Sequence, residues 1–289
     1  STYKKVNFIN IDMLNVGIIG NGYWGSKVYS RVKSLDTEFK INFVCDSDIK
    51  KLGQIDKNIS KITDYKKALN FKNLNAIFIC SNPITHFAIA SFFLKNKINV
   101  FVEKPICKNF KEFSVLKKMA DKRKVILYED LIFLHDDKIK ALKKIILKKS
   151  FGKPLVFNSS RSNLGGFQHN TDVVDDLLTH DLSILFYFFD NRLIKSNCVL
   201  HKTMMKLPPS IAFLTLKFSN NLLVNLNLSW HSPLKVREIS IVGENHMLTF
   251  DGIKSDNSIK LLKKSFTYNE NSKFDYRIGN SISININNK

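Results

Sequence analysis

The stretch Val16-Gly17-Ile18-Ile19-Gly20-Asn21-Gly22-Tyr23-Trp24-Gly25 decides the fold. A short apolar run, Val16–Ile19, ends in Gly-x-Gly-x-x-Gly and gives way to a helix-period segment over Ser26–Leu35. Glycine is needed where a strand turns tightly into a helix, where backbone must approach a pyrophosphate, and where the helix packs on the strand. The helix N-terminus then favours the anion. Asp46 follows the next apolar run, Ile41–Cys45, 21 residues after Gly25, where a carboxylate accepts hydrogen bonds from an adenosine ribose. Because a carboxylate repels a 2′-phosphate, Asp46 favours NAD over NADP, and the neighbouring Lys50 and Lys51 allow NADP as the alternative.

Outward from this turn, apolar runs at Ala76–Cys80, Asn99–Val102 and Val125–Tyr128 alternate with helix-period segments at Pro83–Lys95 and Phe110–Lys122. Strands separated by helices make βαβ units, whose right-handed crossovers build a parallel sheet covered on both faces. Residues 13–135 are therefore read as an α/β Rossmann domain with a doubly wound sheet. After Asp136 the pattern changes. An amphipathic helix over Ile139–Lys149, a strand over Pro154–Ser160 and a helix over Val173–Phe189 lead into successive strands. In Leu222–Trp230 the apolar Leu222, Val224, Leu226, Leu228 and Trp230 alternate with Leu223, Asn225, Asn227 and Ser229, the period of a sheet with one buried face. Residues 136–289 are read as an α+β domain with an open, mainly antiparallel sheet.

Composition narrows the function classes. The 289 residues are 44% hydrophobic and 24% charged, which excludes a disordered or fibrous chain. Apolar runs fall short of the roughly 20 residues that span a bilayer, and Ser1-Thr2-Tyr3-Lys4-Lys5 begins no signal-type core. A cytoplasmic protein with no membrane partner is expected. Cys45, Cys80, Cys107 and Cys198 form no C-x-x-C pair, so neither a metal site nor a disulfide framework is expected, and all four are read as core residues. The formal net charge is +20, yet only six of the 45 basic residues are arginines and the lysines are scattered. Without an Arg-rich stripe this excludes a nucleic-acid partner and leaves a field that attracts phosphate-bearing small molecules.

Three further motifs carry chemistry. Ser81-Asn82-Pro83-Ile84-Thr85-His86 follows the Ala76–Cys80 strand, so Ser81 and Asn82 join the cofactor edge and His86 either borders the nicotinamide or packs internally. Glu103-Lys104-Pro105 follows Asn99–Val102 at a carboxyl end of the sheet, where open α/β folds place ligands, and Lys104 there donates to a substrate oxygen. Asp176 and His180 stand four apart, on one helical face, among Leu177, Leu178, Leu182, Ile184, Leu185 and Phe186. A carboxylate within reach sets the tautomer of a His, which then takes a proton from a hydroxyl.

The ordered set Gly20-x-Gly22-x-x-Gly25, Asn82-Pro83-x-x-His86, Glu103-Lys104-Pro105 and Asp176-x-x-x-His180 resembles the glucose–fructose oxidoreductase/inositol dehydrogenase/MocA family, from about residue 14 to about residue 263. Gly22-Tyr23-Trp24-Gly25, Arg161-Ser162-Asn163-Leu164-Gly165, the segment Asp176–Leu185 and the segment Ser229–Arg237 are similar to the branch of UDP-N-acetylglucosaminuronate 3-dehydrogenases. The resemblance implies an NAD-dependent dehydrogenase or reductase of a sugar hydroxyl, nucleotide-linked, assembled as a homodimer or homotetramer. It makes Lys104, Asp176 and His180 the catalytic set, and Arg161 and Asn163 the substrate-side strand end. Two departures stand out. Glu129-Asp130 replaces the branch's usual Gly-His, and the chain ends in a polar Ser281–Lys289 where the family has a last strand and helix. The residues before Met13 read as an extension. A dehydrogenase of a free sugar, inositol or another cyclic polyol, and a non-catalytic NAD(P)-binding protein, are the alternatives.

Overall fold

The computed structural model describes residues 13–165, 171–268, 274–284 and 286, and its chain divides into two compact units between Asp130 and Leu131. The extension before Met13 lies outside the described residues.

The N-terminal unit runs β1 (Leu14–Ile19), α1 (Tyr23–Lys33), β2 (Phe39–Cys45), β3 (Ser60–Ile62), β4 (Ala76–Ile79), α2 (Pro83–Lys95), β5 (Asn99–Val102), α3 (Phe110–Arg123) and β6 (Leu127–Glu129). Its strands lie in the order β3-β2-β1-β4-β5-β6, all parallel. One apolar cluster gathers Val16, Ile18, Tyr29 and Val44, and another gathers Ile77, Ile79, Phe93, Val100 and Leu116, so the strands are buried on both faces as continuous apolar runs require. Strand order reverses between β1 and β4, the switch point where such sheets bind ligands beyond their carboxyl ends. Side chains mark the helix starts. Asn82 Oδ1 accepts the Ile84 N–H at 3.1 Å, and Asn109 Oδ1 accepts the Glu112 N–H at 3.0 Å. Strand β3 is an addition to the sequence reading, because three residues are too few to display a period.

The C-terminal unit contains α4 (Asp137–Ile146), β7 (Pro154–Leu164), α5 (Thr179–Phe188), β8 (Leu193–His201), β9 (Ile211–Phe218), β10 (Leu223–Ser229), β11 (His231–Gly243), β12 (Met247–Asp251), β13 (Ile259–Tyr268) and β14 (Phe274–Ile284). The sheet order is β14-β13-β12-β11-β7-β10-β9-β8, and β7 with β10 is the parallel pair in a mostly antiparallel array. Helices α4 and α5 cover one face through Ile139, Leu142, Ile184, Leu185 and Phe188, packed on Phe157, Val224, Ile239 and Leu248. The alternation in Leu222–Trp230 is realised, since Leu222, Val224, Leu226, Leu228 and Trp230 are each at most 2% exposed.

Four expectations for these residues are corrected. Helix α4 begins at Asp137, where Asp136 caps the Lys138 and Ile139 amides, and ends at Ile146. The helix expected over Val173–Phe189 is a π-helical turn, Val174–Leu178, leading into α5. Cys198 is exposed on the sheet-edge strand β8, every residue of which is exposed, so it is no core residue. Ser281–Ile284, read as part of a polar end, belong to β14, with Ile284 opposite Ile259 of β13; residues 285 and 287–289 of that end lie outside the described residues.

Candidate functional site

In the N-terminal unit the glycine turn is shaped by contacts that exclude side chains. Gly20 has φ +90°, and a Cβ there would lie 2.6 Å from the Ser81 amide nitrogen. A Cβ on Gly25 would lie 1.9 Å from the Gly20 carbonyl oxygen, so only glycine lets α1 start this close to β1. Gly22 faces open space. No side chain caps α1, and its first turn carries no acidic residue, which leaves the positive end of the helix dipole to a ligand. Beside it, Asp46 Oδ2 accepts the Asn21 N–H at 2.8 Å, Oδ1 accepts the Asp48 N–H at 3.0 Å, and Lys51 Nζ approaches Oδ1 at 3.8 Å. Asn21 Nδ2 donates to the Lys51 carbonyl at 2.6 Å while its buried Oδ1 has no hydrogen-bond partner. A glycine cradle, an uncapped helix start, an unsatisfied amide oxygen and a carboxylate at the end of β2 fit the pyrophosphate and ribose of a dinucleotide.

The same carboxyl edge holds Glu103 and Lys104 directly after β5. Glu103 accepts the indole N–H of Trp24, and burial together with the neighbouring charge of Asp130 pushes its carboxyl up to about 7. Glu129 accepts the Ile106 N–H at 2.9 Å and so pins the loop that carries Lys104. Tyr23 projects into solvent with Lys27 Nζ 2.8 Å from its hydroxyl.

His86 corrects the expectation that it borders the nicotinamide. It is 0% exposed, with Nδ1 2.8 Å from the Pro105 carbonyl and Nε2 3.0 Å from the Ser81 carbonyl. Burial lowers its pKa, so the ring is neutral and its single N–H donates to one of the two carbonyls. The internal packing reading is the one realised: His86 ties the Ser81 turn to the Pro105 loop. Asn82 serves as a helix cap, and Ser81 Oγ lies 2.7 Å from Thr85 Oγ1.

In the C-terminal unit, Asp176 Oδ2 accepts the indole N–H of Trp230 at 3.2 Å. The His180 ring meets Phe133 edge to face at 5.1 Å, and the Arg161 guanidinium lies 4.7 Å from the centre of the Phe133 ring. Arg161 is 5% exposed and forks onto Asp181, with Nε to Oδ2 at 2.9 Å and Nη2 to Oδ1 at 3.0 Å. Asp181 is itself 0% exposed and also accepts the Ser159 hydroxyl at 2.8 Å. The substrate-binding role given to Arg161 is therefore corrected in its geometry, because the bidentate face suited to phosphate is committed to a protein carboxylate. Asn163 Oδ1 accepts from Arg237 Nη2 at 3.1 Å. A cavity of about 210 Å³ in this unit is bordered by Phe133, Arg161, Lys235, Arg237 and Phe250.

The roles of Asp181, Phe133 and Trp230 as partners of Arg161, His180 and Asp176 escaped the sequence reading. Asp181 falls in the buried stripe of Leu177, Ile184, Leu185 and Phe188, and that phase was the signal available. A carboxylate in an apolar stripe requires a cation, and arginine is scarce in this chain. Among the described residues no cluster of three or more His, Cys, Asp or Glu is arranged to hold a metal ion, and no helix is long and apolar enough to cross a membrane.

Comparison with known proteins agrees with this fold. The model of the oxidoreductase family with an NAD-binding Rossmann fold (GFO_IDH_MocA) matches residues 14–131. Myo-inositol 2-dehydrogenase of Thermotoga maritima is 25% identical over 50% of this chain and 43% of its own, so the chain spans less than half the length of that relative. Among solved structures, UDP-N-acetylglucosamine 3-dehydrogenase GnnA from Acidithiobacillus ferrooxidans superposes with a TM-score of 0.76 at 17% identity, over 95% of this chain and 85% of that one. The WlbA dehydrogenase from Bordetella pertussis, in complex with NADH and UDP-GlcNAcA, superposes with a TM-score of 0.77 at 13% identity, over 85% of this chain and 75% of that one. At such identities the likeness establishes fold. The family match thus spans the six-stranded parallel sheet, from β1 to just past β6.

Proposed function

We propose that this protein is an NAD-dependent oxidoreductase acting on a secondary alcohol of a sugar, with a nucleotide-linked sugar as the substrate class. The observation that carries the reading is the placement of Lys104 at the carboxyl edge of the family's Rossmann sheet, the edge that also holds the glycine cradle. When bound, the nicotinamide supplies the hydride acceptor or donor. His180 takes the proton of the hydroxyl in oxidation and returns it in reduction. Lys104 stabilises the oxygen where negative charge develops. Asp176, held by the Trp230 indole, orients the acid–base group.

Support for a nucleotide sugar comes from the long structural overlap with GnnA and WlbA and from the +20 charge, which attracts phosphate-bearing ligands. Inositol or another polyol is the second reading. It is favoured by the Thermotoga relative and by the commitment of Arg161 to Asp181. Transfer of labelled hydride from NADH to a panel of oxidised UDP-, dTDP- and GDP-sugars and inososes separates the two, with transfer expected to a nucleotide-linked sugar. On the accepted substrate, His180→Ala and Lys104→Met each lower turnover by about 10²-fold or more while NADH binding persists. Unaltered turnover in both variants removes the assigned roles.

A further inference from the structure

Strands β5 and β6 are parallel with Val102 opposite Glu129, and the Asp130 N–H donates to the Val102 carbonyl at 2.9 Å. Glu103 and Asp130 are thus the first residues past two adjacent strands, and their carboxyl groups hydrogen-bond to each other. Two carboxyls joined in this way hold a proton between them, because two bare carboxylates have only acceptors to offer. Glu103 also accepts the Trp24 indole N–H, inside the glycine turn, and the Lys104 backbone N–H. A side-chain chain therefore runs from β6 through the β5 loop to the start of α1.

We infer that Asp130 is a positioning residue of the dinucleotide edge: it shares a proton with Glu103 and so keeps Glu103 on Trp24 and the Lys104 loop in register with the glycine turn. The inference rests on reading this unit as NAD-binding. The charged and titratable groups around the pair include Lys104 on the same loop, the Cys80 thiol past β4, and Glu129 on β6; the α1 side contributes the neutral Trp24 and, 5.3 Å from its ring, the Lys27 ammonium. Burial and the two carboxyls raise the Cys80 thiol, which keeps it neutral. Loss of the shared proton places two negative charges side by side at an edge meant for an anionic ligand. Their repulsion parts Glu103 from Asp130 and releases the loop.

Fluorescence titration of the whole protein with NADH, from about pH 6.5 to about pH 8.5, tests this. The dissociation constant of the natural chain should rise about tenfold across that range, the scale of one added charge at close approach in a partly solvated site. Asp130→Asn, whose amide donates to Glu103 at every pH, should bind at the upper pH as tightly as the natural chain does at the lower. Glu103→Gln, a change on the other partner, should flatten the profile as well, and Glu129→Gln should preserve it. A natural profile that is flat, an Asp130→Asn profile that keeps the natural slope, or a flat profile in Glu129→Gln each overturns the inference while NADH binding itself stands. Absence of NADH binding at every pH overturns the cofactor reading and the inference with it.

Discussion

Asp181 in the C-terminal unit is fully buried and Glu103 in the N-terminal unit half-buried, and the two acids are neutralised by opposite means. Asp181 meets a cation: Arg161 forks onto both of its oxygens and the Ser159 hydroxyl adds a third donor. Glu103 meets another acid, Asp130, and the Trp24 indole. A guanidinium keeps its charge throughout the physiological range, whereas a shared proton can leave. The lesson is that one buried carboxyl secures the fold around α5 and β7, while the other makes the dinucleotide edge responsive to pH.

The sharpest way to break that contrast is to remove the cation. Arg161→Met leaves Asp181 buried without its partner and should cost about 3–5 kcal/mol of stability, read from urea unfolding. The double change Arg161→Met with Asp181→Leu should recover most of that loss, since replacing both members of a buried pair is often neutral. A single variant as stable as the natural chain shows that the pair does not neutralise Asp181.

The second comparison is thermal stability against pH. Glu103 has its folded pKa raised to about 7 by burial and Asp130, above the ordinary carboxylate value, so the folded state binds this proton more tightly than the unfolded chain does. The contribution is complete below the ordinary carboxylate range and is lost as pH rises through about 7. The Tm of the N-terminal transition should fall over that interval, and Glu103→Gln should remove the slope. An unchanged slope in that variant would assign the pH dependence to other groups.

The smallest effect belongs to charges left in water. Lys117 and Asp121 on α3 are paired at 2.7 Å, but their side chains are 60% and 66% exposed. Lys117→Ala should change stability by ~0.5 kcal/mol or less in denaturant unfolding, because solvent screens the pair. A larger loss would weaken the claim that burial, rather than pairing as such, gives Asp181 and Glu103 their weight.

Most of the Rossmann unit was legible because its determinants are local. The run Val16–Ile19, the glycines after it and the carboxylate after Cys45 lie close in sequence, and each element is named by its own period or by its end residues. Strand Leu223–Ser229 was legible for the same reason, as was the placement of Lys104 after β5. His86 was not. An exposed His at a helix start and a buried one have the same sequence, and only the approach of the Pro105 and Ser81 carbonyls distinguishes them. The helix over Val173–Phe189 also hid its π turn, since Asp176 and His180 keep the same face in either winding.

By itself the sequence determined the alternation of elements, the glycine cradle and the chemistry available along the chain, because strand and helix periods and glycine's conformational freedom act over a few residues. Only the tertiary structure decided which charges are partners. Arg161 meets Asp181 across 20 residues, Trp230 meets Asp176 across 54, and Trp24 meets Glu103 across 79. Burial makes the first two of those meetings obligatory, because a polar group taken out of water must find its partner wherever the fold brings one.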